Sequence, residues 1–211
     1  MNKTVAIVDY GMGNIHSLYR VFIRLDAQVI VSQDPNEINQ ASHVVLPGVG
    51  HFGRAMDALK KRDLLSVLQD CKQENRKPML GICLGMQLMT QGSEEGGCNG
   101  LGWFNCKASR LQTNQDFNLK VPHLGWNSLE KKIDHTIMGG IQPDNEFYFV
   151  HGFAVMNSEK EEALCTTTYG GDFTSGLVSR NIIGLQFHPE KSHEQGQQIL
   201  TNFLNLCTDQ D

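Results

Sequence analysis

The sequence predicts a single α/β domain, with a mostly parallel central sheet flanked by helices and a partly antiparallel second half. Over about the first 90 residues, strand-like and helix-like segments alternate, as they do in βαβ units with a parallel sheet. Further along, short strand-like segments are separated by Gly, Asn and Asp turns, which favours antiparallel pairing. The 211 residues hold no internal repeat and no linker rich in Pro or Ser, so we expect one domain over residues 1–211.

The beginning of the chain supplies the first predicted parallel strands. Thr4–Asp9 is almost entirely apolar, which is typical of a strand buried on both faces. It leads into a turn-forming stretch over Tyr10–Asn14, after which Ile15–Leu25 repeats apolar residues at helical spacing. Two further strands are expected, over Ala27–Val31 and Val44–Leu46.

The next segments continue the alternation and end in a second strand–helix junction. Apolar spacing predicts helical structure over Phe52–Glu74, with a break near Asp63. Pro78–Cys83 is a short apolar segment that predicts another buried strand, and a helix over Leu84–Gln91 follows it directly.

The second half predicts several short strands and one closing helix. The strand-like segments are Leu101–Arg110, Phe147–Phe153, Ala163–Thr168, Gly176–Ser179 and Ile182–Phe187. Ser192–Leu206 is amphipathic at helical spacing, so we expect a final helix there, with Ser192 as its N-cap and Gln195 completing a capping box.

The composition excludes several functional classes. Eighteen Lys and Arg against 23 Asp and Glu give a net charge of −5, which does not suit a nucleic-acid-binding protein. No apolar run approaches the roughly 20 residues of a membrane span, and the apolar segment at the N-terminus is too short for a signal peptide. We therefore expect a cytoplasmic protein without a nucleic-acid or membrane partner.

The six cysteines predict neither a disulfide framework nor a metal site. They form no C-x-x-C pair, and their spacing does not match a zinc ribbon. In a reducing cytosol most of them should be buried thiols. His188 and His193 are also poorly spaced for a shared metal ligand set. The cysteines are Cys71, Cys83, Cys98, Cys106, Cys165 and Cys207.

Cys83 lies where a predicted strand passes directly into a helix, within Gly81-Ile82-Cys83-Leu84-Gly85. Glycines two residues to either side are typical of a nucleophile elbow, a tight turn that lifts one side chain above the sheet. The N-terminus of the following helix favours the thiolate form, and its N–H groups can hold a developing oxyanion. The alternative is a buried structural cysteine between glycines required for packing.

A second motif, His188-Pro189-Glu190, supplies a base and a carboxylate. Pro189 biases His188 toward an extended conformation, in which residues two apart project to the same side. Glu190 can then fix the imidazole tautomer and stabilise its cation. With an elbow about 100 residues upstream, this pairing predicts a Cys-His-Glu triad.

Glycine-rich turns follow two of the predicted strands. Pro47-Gly48-Val49-Gly50 ends the third strand, at the edge where ligands gather in open α/β folds, and its backbone can turn an N–H toward a substrate oxygen. Alone, such a segment is often a simple turn. The Gly11–Asn14 segment lacks the third glycine of a dinucleotide-binding fingerprint, so we expect no cofactor.

Together, Gly81–Gln87 and Gln186–Ser192 resemble the motifs of the class I (triad) glutamine amidotransferases. The similarity to glutaminase subunits of imidazole glycerol phosphate synthases runs in order from about residue 4 to 206. The segments that carry it are Asp9–Asn14, Pro47–Gly50, Pro122–Asn127 and Phe147–His151. This resemblance implies the class I glutamine amidotransferase fold and hydrolysis of L-glutamine to glutamate and ammonia.

The resemblance also assigns roles to individual residues. Cys83 would attack the glutamine amide, with His188 as acid and base and Glu190 orienting it. Backbone N–H groups of Val49 and Leu84 would hold the oxyanion. Gln87 and Glu95 would contact the substrate, although a solvated loop acid is the alternative for Glu95.

The same resemblance implies a partner. Ammonia would pass to a cyclase subunit with a (β/α)₈ barrel, in a heterodimer that forms imidazole glycerol phosphate and aminoimidazole carboxamide ribotide in histidine biosynthesis. Asn14, Pro122, His123 and Trp126 would lie at that interface. A core position is the alternative for Trp126.

One departure from the family pattern leaves other functions open. Where the family usually carries a hydroxyl residue followed by tyrosine, this chain has Gly152-Phe153. The alternatives are a paralogous glutaminase subunit that supplies a sugar amidotransferase of surface-polysaccharide biosynthesis, or a catalytically silent regulatory protein. A cysteine peptidase on a related fold is a weaker alternative, because Gln87 and the Pro122–Asn127 segment argue against it.

Overall fold

The computed structural model describes residues 3–73, 77–112 and 119–206. The predicted positions Glu74 and Cys207 lie outside these ranges. The helices are α1 Ile15–Arg24, α2 Pro35–Gln40, α3 Phe52–Lys61, α4 Leu64–Gln73, α5 Leu84–Leu88 and α6 His193–Leu204. The strands are β1 Thr4–Val8, β2 Gln28–Ser32, β3 His43–Leu46, β4 Met79–Ile82, β5 Thr90–Ser93, β6 Cys98–Asn99, β7 Phe104–Arg110, β8 His123–Ser128, β9 Glu130–Lys131, β10 Glu146–His151, β11 Phe153–Val155, β12 Ala163–Thr168, β13 Asp172–Ser179 and β14 Ile182–Leu185.

The main sheet is parallel at one end and largely antiparallel at the other. Its strand order is β2-β1-β3-β4-β14-β13-β11-β7-β5-β6, with β12 and β9 joined at β13. The first five strands run parallel, and β13 pairs antiparallel with β14. The predicted fold class is therefore confirmed.

Helices cover both faces of the parallel strands because those strands are apolar on both faces. Strands β3, β4 and β14 consist entirely of buried residues. Leu18 and Phe22 of α1 pack in one core cluster with Phe203 of α6, whereas Leu59 of α3 and Leu68 of α4 belong to the cluster on the other face. This three-layer arrangement is what continuous apolar strands require in a parallel sheet.

The predicted helices are present, but one of them is shorter than predicted and one further helix was not predicted. Asp63 has a φ of +54°, which ends α3 and separates it from α4 as expected. The helix predicted over Leu84–Gln91 is shorter, because the Thr90 hydroxyl donates to the carbonyl of Gln87 and the chain continues as β5. The short helix α2, capped by Asp34, was not predicted.

The predicted capping box at the last helix is wrong. Ser192 does occupy the N-cap position of α6, but its side chain makes no capping hydrogen bond. Its hydroxyl instead donates to the carbonyl of His188 at 2.7 Å and accepts the N–H of Tyr148 at 3.0 Å. Gln195 donates to the carbonyl of Glu146. These contacts fix the His188 segment against β10, so Ser192 stabilises the site rather than the helix end.

Strands β8 and β10 form a separate antiparallel pair that the sequence did not predict as a unit. Their register places Trp126 opposite Tyr148 and His123 opposite His151. The segment predicted as one strand over Phe147–Phe153 is divided between β10 and β11.

Candidate active site

The two chemical motifs meet because β4 and β14 are neighbours in the sheet. These strands pair in parallel, with Ile82 opposite Leu185. Cys83 follows Ile82 directly, and His188 lies three residues beyond Leu185. Both side chains therefore emerge at the carboxyl edge of the parallel strands, where open α/β sheets bind their ligands.

Cys83 occupies a strained turn between β4 and α5. Its φ is +53°, and its N–H donates to the carbonyl of Leu185 at 2.7 Å. Its close neighbours must be small, since a Cβ on Gly81 would lie 2.8 Å from the carbonyl oxygen of Gly85. The tight strand–helix turn expected of a nucleophile elbow is thus present, and it holds the Cys83 side chain away from the helix.

His188 and Glu190 form a buried pair beside Cys83. Nδ1 of His188 lies 2.8 Å from Oε1 of Glu190, and each side chain is 1% exposed. Burial lowers the pKa of His188, but the Cys83 and Glu190 side chains outweigh it and raise the pKa to about 10. Among the described residues, Nε2 of His188 has no well-aligned hydrogen-bond partner. The ring is therefore held by Glu190, close to the sulfur, with Nε2 available for proton transfer.

A cavity of about 390 Å³ opens in front of Cys83. The residues predicted for the oxyanion site and the substrate contacts border it. They are Val49, Leu84, Gln87 and Glu95, and Pro122 of the predicted interface segment is also in its wall. One carboxylate oxygen of Glu95 accepts the N–H of Phe52 at 2.8 Å, so this acid is fixed in place rather than freely solvated.

The Pro47–Gly50 loop lies directly against the elbow. A Cβ on Gly48 would lie 2.6 Å from the backbone nitrogen of Gly85, which explains why glycine is needed on the loop. The hydroxyl of Tyr10 donates to the carbonyl of Pro47 at 2.6 Å, and burial raises the pKa of this phenol. Tyr10 was not predicted as a site residue, because nothing local in the sequence shows that β1 and β3 are adjacent.

Gln87 is fixed by a backbone carbonyl at the point where the chain departs from the family pattern. Its Nε2 donates to the carbonyl of Phe153 at 2.8 Å and to Oε1 of Gln186 at 3.0 Å. Because the main chain of Phe153 makes this contact, the loss of a hydroxyl side chain at Gly152 leaves it intact.

Gln186 is a further residue at the site that sequence reasoning missed. It is fully buried, and its Nε2 donates to the Cys83 sulfur at 3.6 Å. The signal was available, since Gln186 and His188 are spaced two apart and an extended chain projects such residues to one side. The extended geometry predicted for Glu190 is wrong, because Pro189–Lys191 forms a short 3-10 helix, and this turn brings the Glu190 carboxylate to His188.

The predicted interface residues occupy different environments. The side chain of Asn14 makes no capping hydrogen bond at α1, and Trp126 is 40% exposed. The Trp126 ring stacks on His193 with centroids 4.8 Å apart. His123 is buried and bonds to His151 at 3.1 Å between Nδ1 and Nε2. Trp126 is thus available to a partner, whereas the His123 ring contributes to the interior.

Burial keeps the two paired histidines neutral. It lowers the pKa of His123 to about 4 and that of His151 to about 3. Nδ1 of His151 faces the carbonyl of Phe153 at 2.9 Å, so this nitrogen carries the proton. The pair therefore acts as a neutral hydrogen-bonded support behind the cavity.

Over residues 3–73, 77–112 and 119–206, no group of three or more His, Cys, Asp or Glu side chains is arranged to hold a metal ion. No helix in those ranges is long and apolar enough to cross a membrane. The five cysteines within them are not joined by disulfide bonds.

Comparison with solved structures agrees with this architecture. PurLQS from Thermotoga maritima superposes with a TM-score of 0.72 at 15% identity, over 97% of this chain and 99% of that chain. A crystal structure of a glutamine amidotransferase gives a TM-score of 0.69 at 14% identity, over 95% and 97%. At these identities the likeness establishes the fold.

Sequence comparison establishes the family. A model of the class-I glutamine amidotransferases matches residues 6–207. Imidazole glycerol phosphate synthase subunit HisH 2 of Methanococcus maripaludis is 40% identical over 95% of this chain and 98% of its own length. Imidazole glycerol phosphate synthase subunit HisH of Sulfurimonas denitrificans is 40% identical over 94% and 96%. This chain therefore belongs to the class-I glutamine amidotransferase family, and its curated relatives place it among the HisH subunits.

Proposed function

We propose that this protein is the glutaminase subunit of an imidazole glycerol phosphate synthase. We also propose that the subunit is a single domain over residues 1–211 and that the enzyme is cytoplasmic. It hydrolyses L-glutamine and passes ammonia to a cyclase subunit in histidine biosynthesis. The observation that supports this most strongly is the contact of the buried His188–Glu190 pair with Cys83 at the head of the cavity. The names of the curated relatives support the choice of partner.

The first chemical step forms a thioester. The Cys83 proton moves to Nε2 of His188, and the sulfur attacks the side-chain amide carbon of glutamine to give a tetrahedral oxyanion. His188 then gives its proton to the departing nitrogen, so that ammonia leaves as the C–N bond breaks. Glu190 stabilises the imidazolium throughout, which is the third role in a triad.

The second step returns the enzyme to its resting state. His188 removes a proton from water, and the hydroxide attacks the thioester carbon. The C–S bond then breaks, glutamate leaves, and the sulfur recovers a proton from His188. Glutamine and water are thereby converted to glutamate and ammonia.

The N–H groups of Leu84 and Val49 are the proposed oxyanion donors. Leu84 is the first residue of α5, where backbone N–H groups have no partner within the helix. Val49 lies on the loop that packs against Gly85, and 39% of its surface is exposed next to the cavity. Two donors from different segments can converge on the oxygen because the Gly48–Gly85 contact brings these segments together.

Gln87 and Glu95 are the proposed substrate contacts. Because both N–H groups of Gln87 are already bonded, the amide offers its oxygen to the cavity as an acceptor. Glu95 adds a negative charge at the same wall. An acceptor and a carboxylate together suit the cationic α-amino group of glutamine.

The proposed partner surface surrounds the mouth of this cavity. Strand β8 begins next to Pro122 in the cavity wall and continues to exposed Leu124 and Trp126. Half-exposed aromatic residues are frequent binding hot spots. We propose that a (β/α)₈ cyclase subunit covers this surface, including Asn14, and receives ammonia from the cavity as a heterodimer.

The test is glutamine hydrolysis by the subunit alone and with a candidate cyclase and its ribotide ligand. We expect little turnover alone and strong stimulation in the complex. Cys83→Ser should abolish the glutamine-dependent synthase reaction and leave the reaction fed with free ammonia intact. Loss of both reactions, or no binding to any such cyclase, would contradict the proposal.

A second candidate is a paralogous glutaminase subunit that supplies a sugar amidotransferase. It is favoured by the Gly152-Phe153 departure beside the substrate cavity. The two candidates share the same chemistry and differ in the partner. Stimulation by a sugar amidotransferase and not by a cyclase would select this second function.

A further inference from the structure

A chain of hydrogen bonds with a fixed direction ends at the nucleophile. It begins at the carbonyl oxygen of Phe153, which can only accept hydrogen bonds. The Gln87 atom that faces it must therefore be Nε2, 2.8 Å away. The same Nε2 donates its second N–H to Gln186, so the Gln186 atom facing it, 3.0 Å away, must be Oε1.

The direction of this chain fixes which Gln186 atom faces Cys83. With Oε1 turned toward Gln87, the Gln186 side chain must present Nε2 to the Cys83 sulfur, at 3.6 Å. Gln186 is fully buried and Gln87 is nearly so, hence solvent does not compete for either amide. If the Gln186 amide were rotated by 180°, its N–H groups would face the N–H groups of Gln87. Its oxygen would then face the Cys83 sulfur.

The contacts of the sulfur change with its protonation state. As a thiol, Cys83 donates to the carbonyl of Val150, with a separation of 3.8 Å. As a thiolate, Cys83 has no proton to donate, and the carbonyl oxygen of Val150 then repels the negative sulfur. The N–H of Gln186 becomes a stronger partner at the same moment, since hydrogen bonds to an ionised group exceed neutral ones.

We propose that Gln186 is a catalytic residue that stabilises negative charge on the Cys83 sulfur, and that its oxygen also positions Gln87 for the substrate. The charge is present on the sulfur before attack and again when the C–S bond of the thioester breaks. This inference rests on the proposed function, because it concerns the same nucleophile. It assigns a role to a residue outside the Cys-His-Glu triad.

The decisive experiment measures alkylation of Cys83 by iodoacetamide at pH 7, read by mass spectrometry of the Cys83 peptide. Gln186→Met removes the donor and keeps a similar length. We expect Cys83 to alkylate about 10- to 100-fold more slowly, the range that loss of a hydrogen bond to a charged group gives. In complex with the cyclase, kcat should fall by a similar factor and KM for glutamine should rise, since Gln87 loses its support.

A matched control and a second variant separate this role from a structural one. Gln69→Met also exchanges a glutamine that accepts a hydrogen bond, from Trp103, but it lies away from the cavity and should leave Cys83 alkylation unchanged. Gln186→Glu keeps the acceptor toward Gln87 and lacks the amide donor, so it should slow alkylation if Gln186→Met does not fold. A folded Gln186 variant that alkylates within twofold of the wild-type rate overturns the proposal.

The outcome does not depend on the identity of the partner. Alkylation requires neither glutamine nor a cyclase, so slow labelling of the Gln186 variants supports the sulfur contact even if the wild-type protein hydrolyses no glutamine. Conversely, normal glutamine turnover with unchanged alkylation in those variants would retain the proposed function and reject the role of Gln186.

Discussion

Gly85→Ala tests how closely the Pro47–Gly50 loop packs on the elbow. Gly85 is the second residue of α5, and a Cβ at this position would lie 1.9 Å from the carbonyl oxygen of Leu46. Carbon–oxygen contacts in proteins begin at roughly 3.3 Å, so the segments would have to separate by about 1.4 Å. The atom in the way belongs to the backbone, hence a side-chain rotation cannot relieve the overlap. The end of β3, which leads into Val49, must shift.

Gly85→Ala should lower both the stability of the fold and the rate of glutamine hydrolysis. Overpacking of this kind typically costs about 1–3 kcal/mol in the free energy of unfolding. For a chain of this length that corresponds to a decrease of about 2–12 °C in Tm. Displacing Val49 would also remove one of the two proposed oxyanion donors, which should lower kcat by about 10²–10³. KM should change much less, because Glu95 lies outside both segments and the Gln87 side chain is held by the carbonyl of Phe153 and by Gln186.

The assay compares thermal unfolding of the subunit with glutamine hydrolysis in the cyclase complex. Gly171→Ala is the matched control, because a Cβ there meets nothing within 4 Å and Gly171 lies in a distant turn. It should leave both quantities unchanged. If Gly85→Ala retains the wild-type Tm and a kcat within twofold, the Pro47–Gly50 loop does not pack tightly on α5. Such a result would refute the inference that this contact positions the N–H of Val49.

The remaining predictions address the triad, the partner surface and the pH dependence of stability. Glu190→Gln removes the charge that holds His188; glutamine hydrolysis in the complex should fall at least about tenfold, and equal rates would argue against the triad. Trp126→Ala should weaken cyclase binding by about 30-fold, as measured by calorimetry, while the isolated subunit stays folded. Unfolding of that variant would instead make Trp126 a core residue. Burial lowers the pKa of His43 to about 4, so the unfolded state binds a proton between pH 6.5 and 4 that the folded state does not. His43 alone should therefore contribute a loss of stability of about 1.4 kcal/mol per pH unit as the pH decreases through that window. In urea unfolding at pH 7 and pH 5, His43→Gln should lose about 2 kcal/mol less than the wild type, and an equal loss would exclude His43 as the cause.

The local pattern of the sequence was sufficient for the parallel half of the fold. Strands β1, β3 and β4 are short apolar runs, and α1 has apolar residues at helical spacing, so their type follows from the chain itself. The glycines around Cys83 and the His188-Pro189-Glu190 order likewise indicated which residues carry chemistry. These features depend on residue size, polarity and spacing alone.

Elements whose contacts are distant in sequence were harder to predict. The β8–β10 pair was not recognised as a sheet, because apolar and polar residue types do not alternate regularly along its strands, although burial does. The two strands also pair across an intervening segment of the chain. Ser192 was expected to cap α6, yet its hydroxyl bonds to Tyr148 and His188. A polar side chain has several satisfactory partners, and which one it meets depends on how the strands and helices pack.

The sequence by itself therefore determined the kind of site: a cysteine at a strand–helix turn, and a histidine with a carboxylate two residues further on. The tertiary structure decided that β4 and β14 are neighbours, which places His188 beside Cys83 and brings Gln186 to the sulfur. It also placed the Tyr10 hydroxyl on the carbonyl of Pro47. Strand order is set by burying apolar faces between layers and by the handedness of the crossovers, and these are properties of the whole chain that no local motif contains.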